Sequence, residues 1–238
     1  LLSLLIISSN CFAGIGSVTE QINAPPSIQR KNSTITGSKG TEVEMLDAVR
    51  TQSGKAQITF EDQTKVQVNE NSKLVIDDFV YDPKNAQGGK LGLKAATGTV
   101  RYVSGGIAHN NPNAVKINTP TASIAVRGTD FTSTVDDFGK SLVILLPEAD
   151  GTVGEITVSN NAGSVILNKA FQATTVDTMD NKPNKPVILN LSLDQIDNFL
   201  IITPPPETKQ TVMRKEADIK ANILDLSELD VDYLKKDE

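Results

Sequence analysis

The sequence holds no tryptophan, one cysteine (Cys11), one histidine (His109), three tyrosines and seven phenylalanines in 238 residues. Such scarcity removes whole classes of chemistry. One His and one Cys exclude most Cys/His zinc centres and Cys–His nucleophile pairs, and a Ser–His–Asp triad would have to use His109. A lone Cys excludes a disulfide scaffold. A net charge of −6 argues against nucleic acid as a partner, because phosphate contacts need clustered Lys and Arg. No apolar run reaches the ~20 residues of a membrane-spanning helix; Leu142–Leu146 and Phe199–Ile202 are far shorter. With so few aromatics, a core must rest on Val, Ile, Leu and Thr. The length fits one large β domain or two small ones. A single domain of this size buries roughly 70–75% of its unfolded surface and needs no covalent staple.

What is present begins with Leu-Leu-Ser-Leu-Leu-Ile-Ile, followed by Ser8, Ser9, Asn10 and then Cys11-Phe12-Ala13-Gly14. This reads as a truncated signal peptide over residues 1–13, with Cys11 at −3 and Ala13 at −1 of the cleavage site. The chain opens without Met or a basic region, as expected of a fragment or a partly processed form. Asn10 before Cys11 is a poor lipoprotein context, so a lipid anchor is the weaker reading. Cleavage after Ala13 leaves a mature chain free of cysteine, bound for the periplasm or the extracellular space and without a membrane span.

From Thr41 to about Val176, turn residues recur roughly every 8 to 12 positions, the spacing of an all-β domain. Ile58 and Phe60, Val66 and Val68, Val115 and Ile117, and Ile124 and Val126 each alternate with wetter neighbours. Leu142, Ile144 and Leu146 share one face. Ile156 and Val158 are followed by Val165 and Leu167 across the turn Asn160-Asn161-Ala162-Gly163. Helix signals are nearly absent here, which makes parallel βαβ units unlikely and leaves a sandwich, a barrel or a solenoid. Short strands and tight turns without an aromatic core favour a β-helix-like stack, a solenoid or roll.

The expected organisation is a loose lead-in over 14–40 with at most one strand, the β domain over 41–180, a linker with a short helix over 181–206, and an acidic tail over 207–238. Asn32-Ser33-Thr34 matches a glycosylation acceptor by chance composition. Ser192-x-x-Gln195 is a capping box before Ile196, Phe199 and Leu200, and Thr203-Pro204-Pro205-Pro206 ends that helix. The tail carries nine acidic and six basic residues, half of the chain's net charge. It reads as flexible, with Ile223, Leu226, Leu229 and Tyr233 at helical spacing as a possible docking face.

Candidate chemistry is sparse. Asp77, Asp78 and Asp82, and Asp130, Asp136 and Asp137, are the carboxylate clusters of the body. Adjacent strand carboxylates point to opposite faces and cannot form a glycosidase pair. Asp77, Asp78 and Asp82 could offer oxygens to calcium, but no EF-hand or nonapeptide repeat accompanies them, so no metal or cofactor is expected. Gly88-Gly89-Lys90 lacks the rest of a phosphate loop. No catalytic residue is assigned. Arg101, Tyr102 and Arg127, with Asp130, are the candidate recognition residues, because Arg and Tyr are enriched at binding hot spots.

Three segments carry a family resemblance. They are Asp47–Thr51 with Gly54–Phe60 and Asp62-Gln63-Thr64; Asn71–Asp77 with Tyr81-Asp82-Pro83; and Val115–Pro120 with Ala122–Phe131. Together, over about residues 40 to 135, they resemble the FecR domain, most specifically in Thr119-Pro120-x-Ala122-x-Ile124-Ala125-Val126-Arg127-Gly128-Thr129. The resemblance implies an all-β, β-helix-like domain. In the namesake regulators this domain lies in the periplasm behind a membrane span and a cytoplasmic anti-sigma segment. This sequence shows neither part, so anti-sigma activity is not carried over. Gly54 and Gly128 are expected at tight turns, as is Gly98, and Pro120 at a corner. Asp47, Asp62, Asn71 and Asp77 flank strands, where they can bond nearby amides, and Thr129 completes the signature. The expected function is non-enzymatic: an exported binding or signalling module of the cell envelope with a protein partner. The alternatives are a self-assembling surface, filament or virion component and a carbohydrate- or peptidoglycan-binding protein.

Overall fold

The computed structural model describes residues 14–148 and 150–190. The expected signal peptide with Cys11, the helix expected after Ser192 and the expected acidic tail lie outside the described residues. Short β-branched runs broken by Gly, Asn and Asp turns become seventeen strands, and the class is mostly β.

The chain alternates between two sheets. β1 (Gly16–Ile22) enters the first sheet, and β2 (Ser27–Arg30) and β3 (Ser33–Thr36) form a hairpin in the second. β4 (Glu42–Val43) returns to the first sheet and β5 (Ala48–Arg50) to the second. The hairpin β6 (Lys55–Phe60) and β7 (Lys65–Val68) is in the first, and β8 (Lys73–Val80) in the second. β9 (Lys90–Val103) runs through both: Lys90–Thr97 pairs with β8, and Val100–Val103 with β7. β10 (Val115–Asn118) and β11 (Ser123–Arg127) follow in the second sheet, β12 (Asp130–Val135) and β13 (Ser141–Leu146) in the first. β14 (Glu155–Asn160) and β15 (Gly163–Leu167) return to the second; β16 (Gln172–Val176) and β17 (Val187–Ile188) finish the first.

The first sheet therefore reads β4-β1-β6-β7-β9-β12-β13-β16-β17 and the second β3-β2-β5-β8-β9-β10-β11-β14-β15. Every strand earlier than β9 lies on one side of it and every later strand on the other. All these neighbours are antiparallel except β9 and β10, which run parallel. The pairings describe successive antiparallel hairpins, not a β-helix of stacked parallel rungs. The physical reason is turn length: two-residue connections such as Asn161-Ala162 between β14 and β15 close hairpins, whereas parallel rungs need crossovers.

The core lies between the two sheets. Val18, Ile58, Val66, Tyr102, Phe131 and Leu145 of the first face Ile28, Val49, Leu74, Leu93, Ile124 and Val158 of the second, all essentially buried. Burying each aliphatic side chain contributes about 1.5–3 kcal/mol. Phe60 of the first sheet stacks on Phe79 of the second at 5.5 Å between centroids.

Two expectations need correction. Residues 14–40 are not a loose lead-in: β1 pairs with β6 along almost its whole length, and β2 with β5. Their alternation is hidden by small polar residues on the outward face. The linker expected from 181 contains β17. Leu142, Ile144 and Leu146 do share a face, but it is the outer one, since Val143 and Leu145 take the core side at 0% exposure. Two short helical pieces also occur among the described residues, a 3₁₀ turn at Ala86–Gly88 and helix α1 (Gly106–Asn110), which carries His109. Among the described residues no helix is long and apolar enough to cross a membrane.

Candidate functional site

The start of α1 is held by an aspartate 45 residues earlier in the chain. Asp62 is buried. Its Oδ1 accepts the Thr64 N–H at 3.0 Å, and its Oδ2 accepts the Thr64 hydroxyl at 2.7 Å and the Ile107 N–H at 3.0 Å. Its carbonyl takes the Gly106 N–H at 2.7 Å. These bonds fix the loop between β9 and β10, and with it one wall of a groove.

That groove opens on the outer face of the second sheet and has a volume of about 590 Å³. Its floor is the backbone around Gly92 on β9, where a Cβ would lie 3.2 Å from that of Asp78. Asp77 and Asp78 come from β8, at a register shift between Ile76 and Asp78 that turns both toward the same cleft. Lys116 and Asn118 rise from β10, and Asn111 and Asn113 from the end of α1. The Asn111 side-chain amide donates to the Gln87 carbonyl at 3.0 Å, tying the helix end to the 3₁₀ turn. Lys90 and Asp78 form an ion pair on the rim. Asp77 and Lys116 are exposed and make no ion pair among the described residues. The groove thus offers one carboxylate and one ammonium of opposite sign, several carboxamides and no aromatic ring.

The recognition residues expected from sequence are placed differently. Tyr102 is 1% exposed and points into the core against Phe131, with ring centroids 5.5 Å apart. Its hydroxyl has no hydrogen-bond partner. Ser104 and Thr64 come near it, but neither hydroxyl meets hydrogen-bond geometry with it. Burial pushes this phenol well above its ordinary pKa. Asp130 is also buried, and Arg101 lies over it: Arg101 Nε donates to Asp130 Oδ1 at 2.9 Å and Oδ2 at 3.0 Å, and Nη2 also reaches Oδ2. Burial raises the Asp130 pKa, and the Arg101 charge opposes that rise. Arg101, Tyr102 and Asp130 are therefore structural, because register sends Tyr102 inward and closes Arg101 on Asp130. Arg127 alone stays at the surface, with Glu155 3.4 Å away on β14. It shares the outer face with the groove but does not line it.

The motif residues have specific structural partners. Asp47 is fully buried and accepts Arg30 Nε at 2.9 Å and Nη2 at 2.7 Å, besides the Glu44 N–H at 2.8 Å. Arg30 also reaches Glu44 at 2.7 Å. Asn71 adopts a left-handed φ of 53° and donates its N–H to Gln52 at 2.8 Å. A Cβ on Gly54 would meet the Ala24 carbonyl at 1.9 Å. Pro120 is exposed at its corner, between two buried threonines whose hydroxyls close a network with Ser141 at 2.7 Å each. Gly128 has φ of 49°. The buried Thr129 exchanges two bonds of 2.8 Å with Ser104. Asp82 does not join Asp77 and Asp78 in the groove lining, and no cluster of three or more His, Cys, Asp or Glu suited to a metal occurs among the described residues. Sequence reasoning missed the groove residues Lys116, Asn113 and Asn118. The only signal for Lys116 and Asn118 was outward position on an alternating strand, and Asn113 lies in the turn before it.

Residues 47–153 match the family model described as FecR protein. The chain carries a FecR domain. The match reaches further toward the C-terminus than the resemblance in sequence, through β12 and β13, and the groove residues all fall inside it. β1 to β4 lie before it and yet complete both sheets. Among solved structures, two crystal structures of a candidate anti-sigma factor from Parabacteroides distasonis ATCC 8503 are similar. One has 14% identity and a TM-score of 0.45, with 59% of each chain covered. The other has 13% identity and a TM-score of 0.44, with 58% of this chain and 57% of that chain covered. The FecR-domain chain thus spans under two thirds of those proteins' length. No curated protein matches it.

Proposed function

We propose that this chain is a non-catalytic, exported FecR-type regulatory module of the cell envelope, and that it holds a polar polypeptide segment of a partner protein in the groove over Gly92. The groove carries this reading. Its glycine floor lets a backbone approach closely, and its carboxamides suit peptide N–H and C=O groups. The unpaired Asp77 and Lys116 suit a segment bearing both charges. The absence of an aromatic platform there disfavours a sugar ring, which usually stacks on one. Export rests on the apolar leader ending at Ala13.

Two measurements test this. Mass spectrometry of the protein made in a bacterial host should find a mature chain starting at Gly14 in the envelope fraction. A photo-crosslinking amino acid at Lys116 should trap one discrete protein adduct, whereas the same probe at Lys65, on the first sheet, should not. Equal labelling at both positions, or suppression of adduct formation by soluble glycan fragments added before irradiation, would refute the peptide-groove assignment.

A further inference from the structure

β13 is apolar on both faces. Val143 and Leu145 fill the core, while Leu142 and Ile144 are half-buried on the outer face of the first sheet and Leu146 is only 3% exposed there. A strand of an outermost sheet ordinarily alternates, and a continuous apolar run marks a strand covered on both sides. The cross-strand neighbours agree. Ala173 of β16 pairs with Ile144 and is 2% exposed, and Val187 of β17 pairs with Ala173 in the same row. On the other side of β13 this row continues through Thr132 and Arg101 to Gln67 and Gln57, which are 2% and 3% exposed despite facing outward. The short helix α1 packs instead on β11, in the second sheet.

The chain itself supplies a cover of matching chemistry. It leaves β17, the edge strand of this sheet, at Ile188, and 48 residues follow Asn190. The first of them carry Leu193, Ile196, Phe199 and Leu200 at the i, i+3, i+6, i+7 spacing of one helix face, behind the capping box Ser192…Gln195. A helix over 192–202 is about 16 Å long at 1.5 Å per residue. The three spacings from β17 across β16 and β13 to β12 are about 14 Å at 4.8 Å each. We propose that residues 191–202 dock as an amphipathic helix across the outer face of the first sheet, with Leu193, Ile196, Phe199 and Leu200 set on Leu142, Ile144 and Ala173. The proline run Pro204–Pro206 then stops the helix near β9 and sends the acidic tail away from the sheet.

Because the chain lacks tryptophan, a Phe199→Trp variant of the full chain is a single-fluorophore reporter. Its emission should be blue-shifted and resistant to acrylamide, and Ile144→Asp in the same chain should restore solvent-like emission while the β circular dichroism persists. Emission that is solvent-like from the start, or a blue shift indifferent to Ile144→Asp, overturns the proposal. A blue shift that vanishes on dilution assigns the face to a second copy of the chain and also overturns it. Should Ile144→Asp unfold the protein, Ile144→Cys with Leu200→Cys in a Cys11→Ser background gives an independent result. Oxidation should close an intramolecular disulfide there, and not in the pair Ala125→Cys with Leu200→Cys, whose first member lies on the other sheet. Failure of the first pair to close, or closure of both, refutes the docking.

Discussion

Arg101 does not sit opposite Asp130: the ladder pairs Arg101 with Thr132 and Asp130 with Val103, so the guanidinium reaches diagonally across two strands to its carboxylate. Diagonal neighbours on a sheet lie about 7–8 Å apart, a span that only a long side chain closes. Removing one partner of a buried pair leaves an uncompensated group. Arg101→Ala should therefore cost about 3 kcal/mol in urea denaturation, near the lower end of values for buried pairs. The double variant Arg101→Ala, Asp130→Asn should be less destabilised than the sum of the singles. Additive losses would show that the two residues act independently.

Tyr102→Phe should be neutral or stabilising by up to about 1 kcal/mol, because it removes a buried hydroxyl that lacks a partner. The phenol's pKa is raised in the folded chain, so folding favours its neutral form. The sign follows: stability is intact below the ordinary phenol pKa of about 10 and falls as the pH rises beyond it. Tyr102→Phe should flatten that alkaline loss in melting curves taken at successive pH values.

Glu148 has its carboxyl pKa raised by burial, against a partly compensating pull from His109. The folded chain then binds a proton more tightly than the unfolded chain, and stability declines as the pH rises from the ordinary carboxylate range toward neutrality. Asp130 acts in the same direction. Glu148→Gln should raise Tm at neutral pH and leave it unchanged near about pH 3, where both states are protonated. A gain of equal size at both pH values would assign the effect to packing.

Three glycines should rank by what their missing Cβ would meet. Gly128 needs a left-handed φ, but its nearest neighbour is the exposed His109 at 3.1 Å, which can yield. Gly128→Ala should cost about 1–2 kcal/mol. Gly98 combines a φ of 78° with Ser72 Cα at 2.6 Å, and Gly154 would drive a methyl to 2.0 Å from the Gly128 carbonyl. Both alanine variants should fail to give a cooperative melt. Arg127→Ala, at an exposed site beside Glu155, should stay within about 0.5 kcal/mol of the parent.

The strand pattern was legible wherever apolar residues alternate with polar ones, as in β6, β7, β10, β11 and the β14–β15 hairpin. Gly128 read correctly as a positive-φ position; Gly98 also has a positive φ, but inside β9 and not at the turn expected for it. The topology was not legible, since alternation reports a face and not the partner strand. β13 shows the same limit: Leu142, Ile144 and Leu146 obey period two, and nothing in period two says which side is the core. Three of the four candidate recognition residues proved to be held inside the fold for this reason. Tyr102 and Arg101 are adjacent, so register had to bury one of them, and the long-range partner Asp130 closed over the other. Arg30, the partner of Asp47, carried no local signal at all.

β9 is the middle strand of both sheets, with the earlier strands β7 and β8 hydrogen-bonded to one side of it and the later strands β12 and β10 to the other. A protein of stacked hairpins would ordinarily melt piecemeal from its ends, each layer answering only to its neighbours. Here fourteen consecutive residues belong to every layer boundary at the centre, in both walls at once. Neither half can keep its inner edge without them, and fraying that reaches β9 from either end opens the other half too. Chain synthesis meets the same constraint: the first eight strands emerge with their inner edges bare until β9 arrives, and β9 then offers bare edges of its own to the strands still to come.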